Sequence, residues 1–71
     1  MKKKILIEGM SCNHCVHHVT EALSELSGVT NVEVSLEAKN AIIELSADVK
    51  DEDIKFAVGD AGYEVVGIET V

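Results

Sequence analysis

The chain reads as a small α+β sandwich in which a four-stranded antiparallel sheet carries two helices on one face. Three observations predict it. Apolar residues switch between a period of two and a period near 3.6, in the order strand, helix, strand, strand, helix, strand. The two halves share a plan of strand, helix, glycine and strand, with Gly28 and Gly62 in matching places. Finally, 71 residues, 46% of them hydrophobic, make one domain with a thin core. Alternating strands offer one buried face, and two helices laid on that face are the compact way to cover it.

The first strand is expected at residues 3–8, with Ile5 and Ile7 on one face. Gly9 to Asn13 reads as a loop. From about His14 to Leu26 the apolar positions Cys15, Val16, Val19, Leu23 and Leu26 recur at helical spacing. Gly28 suits the left-handed stop that follows such a helix. In residues 29–36, Val32, Val34 and Leu36 point inward and Glu33 and Ser35 outward. Glu37 to Asn40 is a hairpin turn, and residues 41–46 alternate again with Ala41, Ile43 and Leu45 inward. Asp51, Glu52 and Asp53 place negative charge at the start of a second helix, where the macrodipole favours it. Ile54, Ala57, Val58 and Ala61 form its apolar stripe, Gly62 ends it, and Tyr63 to Glu69 is the last strand. This β-α-β-β-α-β order on one antiparallel sheet is the ferredoxin-like arrangement. In this register Leu6, Ile42 and Val66 fall on the open face, where cross-strand packing accounts for them and a small contact surface for another protein is the alternative reading.

Composition excludes several functions. Thirteen acidic residues oppose six basic ones, for a net charge of −7, and arginine is absent. Nucleic-acid affinity rests on neutralising phosphates with cations, so nucleic acid is a poor partner, and an anionic membrane surface is disfavoured for the same reason. Aromatic residues are only 3% of the chain, too few for a base-stacking platform. No apolar run is long enough for a transmembrane helix, and the Met1-Lys-Lys-Lys start does not read as a signal peptide. The expected location is the cytoplasm, unless the chain is cut from a longer protein. A domain this thin leaves little room for a deep substrate cleft, and enzymatic activity is not expected.

Chemistry concentrates in Gly9-Met10-Ser11-Cys12-Asn13-His14-Cys15, between the first strand and the first helix. In a reducing compartment a lone Cys-x-x-Cys is metal-binding or catalytic more often than structural. Two intervening residues let both sulfurs turn toward one point. Cys15 falls in the first helical turn, where unpaired N–H groups and the positive end of the dipole stabilise a thiolate. Two thiolates without further ligands suit a soft monovalent ion in near-linear geometry, and sulfur selects Cu(I). Zn(II) usually wants four ligands. His14, His17 and His18 are read first as solvated residues on a helix face. His14 and His18 lie four apart, however, and Cys15 and His18 three apart, so a Cys2His or Cys2His2 site is sterically conceivable.

Gly-Met-x-Cys-x-x-Cys after a first strand, in a chain of this order and length, resembles the heavy-metal-associated domain family and, within it, the small bacterial copper chaperones. The likeness spans essentially all of residues 1–71 and includes the Gly62-Tyr63 pair. It implies a Cu(I) carrier that exchanges copper with a copper-transporting P-type ATPase through shared thiolates. It also implies that Cys12 and Cys15 are the ligands, that Met10 packs under the loop without binding metal, and that Tyr63 lies near the sulfurs and shields them. Two exposed thiols could also share copper between molecules, giving a metal-bridged homodimer. Other readings stay open: a regulatory metal-binding domain of a larger ATPase, a carrier of Hg(II), or a dithiol–disulfide oxidoreductase. The last is disfavoured by the short length and the absence of proline. The acidic residues read as solvated faces that can steer the domain toward a basic partner.

Overall fold

The computed structural model describes residues 1–11 and 13–71. Six elements follow the expected order: β1 (Lys2–Glu8), α1 (Asn13–Ser24), β2 (Val29–Ser35), β3 (Asn40–Leu45), α2 (Asp51–Asp60) and β4 (Glu64–Thr70). The strands form one sheet in the order β2-β3-β1-β4, and every neighbouring pair is antiparallel. The ferredoxin-like architecture read from the sequence is therefore the fold of the chain.

The core follows the alternation. Ile5 and Ile7 of β1 and Ala41, Ile43 and Leu45 of β3 are buried, against Val19 and Leu23 of α1 and Ile54 and Val58 of α2. β1 and β3 are the two central strands, so their inward residues are covered on all sides. The inward residues of the edge strands, Val32 and Val34 on β2 and Val65 and Ile68 on β4, are only partly buried. Two loop residues, Met10 and Val49, complete the core.

Element ends shift by one or two residues from the expected places. α1 starts at Asn13 and stops at Ser24, so Leu26 packs on the core from the turn that follows, its N–H bonded to the Leu23 carbonyl. Gly28 turns the chain at φ +100°, and its carbonyl accepts the Ser46 N–H at 2.8 Å. The hairpin turn falls one residue earlier than read, at residues 36–39. Lys39 takes the left-handed conformation at φ 56°, and Asn40 already belongs to β3 and is buried. On the open face Leu6 lies directly over Gly67, its Cδ1 3.1 Å from where a Cβ would stand. The β1–β4 register shifts between Leu6 and Ile7, leaving Val66 as an extra, 55% exposed residue. Leu6 and Ile42 are partly covered, in keeping with cross-strand packing. No helix among the described residues is long and apolar enough to cross a membrane.

Candidate metal loop

The loop after β1 is shaped by Gly9, whose φ of +99° is a left-handed conformation that L side chains rarely adopt. That turn drops Met10 into the core, where it is buried among residues of the sheet and helices. Cys12 lies outside the described residues. Asn13 opens α1, which places Cys15 in its first turn, half-buried and packed on the core.

The electrostatics of this helix start differ from those of the other. α2 begins with Asp51, Glu52 and Asp53, whereas α1 has no acidic residue in its first turn. No carboxylate of that turn opposes a second negative charge there, and thiolates are anions that the positive end of a helix dipole stabilises. The nearby sheet end does carry carboxylates. Glu8 and Glu64 face each other across β1 and β4, both exposed to solvent.

Tyr63 stands between α2 and β4, its N–H bonded to the Val58 carbonyl at 3.1 Å. From there its ring reaches the loop, with Cδ1 3.6 Å from where a Cβ on Gly9 would lie. Its hydroxyl meets His18 Nδ1 at 3.4 Å, a long contact in which the hydroxyl donates to a bare Nδ1 or accepts from a protonated one. Tyr63 therefore joins the base of the loop to the second turn of α1. Sequence spacing could not have revealed the pairing, because the partners are 45 residues apart. His14, His17 and His18 are all exposed. Among the described residues no group of three or more His, Cys, Asp or Glu side chains is placed to hold a metal ion. The chemistry available here is thus that of soft sulfur at an exposed helix start, with an aromatic ring alongside.

Residues 4–64 match the heavy-metal-associated domain family. The copper chaperone CopZ of Staphylococcus saprophyticus is 48% identical over 62 residues, which span 86% of this chain and 91% of that protein. The solved structure of a CopZ metallochaperone superposes with a TM-score of 0.86 at 36% identity, covering 93% of this chain and 100% of the other. A solved copper binding domain from a P-type ATPase gives a TM-score of 0.82 at 34% identity, covering 99% and 100%. The chain belongs to the heavy-metal-associated domain family.

Proposed function

We propose that residues 1–71 act as a single heavy-metal-associated domain that binds Cu(I) in the cytoplasm and passes it on, as a carrier and not as a catalyst. Cys12 and Cys15 are the ligands in this reading, Cys12 assigned by the motif alone. Met10 supports the loop from the core, and Tyr63 screens the sulfurs. The observation that carries the proposal is the position of Cys15 in the first turn of α1, a turn that contains no acidic residue. Cu(I) held by two thiolates has net charge −1, which that end of the helix stabilises. Similarity to a protein named as a copper chaperone supports copper as the cargo.

The acceptor, in this reading, is a metal-binding domain of a copper-transporting P-type ATPase. The likeness to a copper binding domain from a P-type ATPase supports two partners of one fold meeting loop to loop. Transfer proceeds by ligand exchange. An incoming thiol loses its proton and joins the ion, making it three-coordinate. One original thiolate then leaves and takes up a proton, with no change in oxidation state. At high concentration the same exchange stalls between two copies, giving a copper-bridged homodimer.

The test is a Cu(I) titration under reducing conditions against a strong chelator, paired with X-ray absorption. One Cu(I) per chain with two sulfur neighbours is expected, and Cys12→Ser or Cys15→Ser should each lose tight binding while the far-ultraviolet dichroism stays native. Copper bound without sulfur neighbours, or bound as tightly by both variants, overturns the reading.

A further inference from the structure

Phe56 is the sole phenylalanine of the chain, and the fold does not use it: its side chain is 76% exposed on α2 while Ile54 and Val58 fill the core. A single exposed apolar residue is ordinary. Phe56 is not isolated, however. It forms one wall of a groove of about 250 Å³ between the two helices, lined also by Ala22 and Leu26 from the α1 side and Ala57 from α2. The only charged residues lining that groove, Glu25 and Asp60, are both acidic. Helical spacing adds Glu52 and Asp53, four and three residues before Phe56. Among the described residues the ion pairs are Lys2–Glu44 and Lys3–Asp51, so none of these four carboxylates is neutralised by a lysine.

An aromatic anchor in a concave apolar patch with a charged rim is the anatomy of an interface hot spot. The sign of the rim selects the occupant. A second copy of this chain, at −7, meets its own carboxylates and is repelled, as is any anionic surface. We infer that the Phe56 groove is a docking site for a protein segment that bears Lys or Arg side chains around one apolar side chain, the apolar group seated on Phe56 and the cations on Glu25 and Asp60. This goes beyond the copper reading and does not depend on which metal the loop carries.

The test uses amide chemical shifts of the metal-free protein titrated with three synthetic peptides: lysine-rich with one central leucine, lysine-rich without it, and serine-rich with it. The lysine–leucine peptide is expected to shift Ala22, Leu26 and Ala57 and to bind at least about tenfold more tightly than either control, a single anchor contact of about 1.4 kcal/mol. Phe56→Ser should remove that preference, and Glu25→Gln with Asp60→Asn should weaken binding and flatten its salt dependence. Both changes are on exposed side chains, so native dichroism is expected. Equal binding of the two lysine peptides, or an unchanged leucine preference in Phe56→Ser, overturns the inference. So does a self-association in sedimentation that Phe56→Ser abolishes, because the occupant is then a second copy.

Discussion

Lys3→Met isolates an interaction that ties the edge of the core to the start of α2. Lys3 donates from Nζ to the Val49 carbonyl and to Asp51 Oδ1, both at 2.9 Å. Its side chain is only 13% exposed, whereas Asp51 is 55% exposed. The two bonds therefore differ in worth. The ion pair is screened on the Asp51 side and contributes about 0.5 kcal/mol. The carbonyl bond has a charged donor in a sheltered place, and bonds of that kind contribute about 1.5–3 kcal/mol. Methionine keeps the apolar stem and recovers part of this, because the ammonium no longer has to be held out of water. The expected net loss is about 1–2 kcal/mol, or a fall in Tm of roughly 5–15 °C for a domain this small. Asp51→Asn should cost about 0.5 kcal/mol or less, and adding salt should erase that part alone. Urea unfolding of the two single variants and the double variant supplies the cycle. A Lys3→Met protein as stable as the parent, or a loss in Asp51→Asn equal to that in Lys3→Met, refutes the reasoning.

Two glycines should respond in opposite directions. Gly28→Ala forces φ +100° on an L residue and brings Cβ within 3.1 Å of Val49 Cγ2, so a loss of about 1–3 kcal/mol is expected. Gly59→Ala, inside α2 with nothing within 4 Å of the new Cβ, should instead gain about 0.5–1 kcal/mol, and thermal melts read both changes. At the metal loop, Tyr63→Phe and His18→Ala should each speed Cu(I) hand-over to a chelator about twofold, the worth of one long exposed hydrogen bond of about 0.5 kcal/mol. The double variant should add nothing further in stopped flow. A fall in Cu(I) affinity in His18→Ala alone would instead assign His18 as a ligand.

Alternation made the sheet legible because one face is buried and the other is not. Ile5, Ile7, Ala41, Ile43 and Leu45 are buried as that pattern demands. The same period of two puts Lys3 on the inner face beside Ile5, yet its charge reads as solvated unless the start of α2 is known to lie within reach. Val49 was not legible at all. It sits between β3 and α2, in a stretch without periodicity, and is buried only because the chain folds back there. The bulge at Val66 had one local mark, Gly67 inside the strand pattern, but the register it sets is a property of two strands. At the site, the Cys-x-x-Cys motif and its place at a strand–helix junction were plain. The contact of Tyr63 with both Gly9 and His18 was not, because tertiary folding alone brings them together.

The two helix starts differ in a way that bears on the proposed Cu(I) site. β1 and β3 run antiparallel, and each leads into a helix, so α1 and α2 begin at opposite ends of the sandwich. One start is neutralised permanently by Asp51, Glu52 and Asp53. The other has no acidic residue in its first turn. Had the carboxylates stood at both, oxygen donors beside the sulfurs would raise the coordination number and favour harder divalent ions. Their charge would also oppose the thiolate form. Glu8 and Glu64, the carboxylates of that end, project from strands and stay exposed. A helix start kept free of its own carboxylates therefore favours a soft, low-coordinate, exchangeable ion over a hard, enclosed one. Placing Asp at Asn13 makes the point measurable. Asn13→Asp should weaken Cu(I) binding relative to Zn(II), and an unchanged ratio would remove the helix start from the explanation of metal choice.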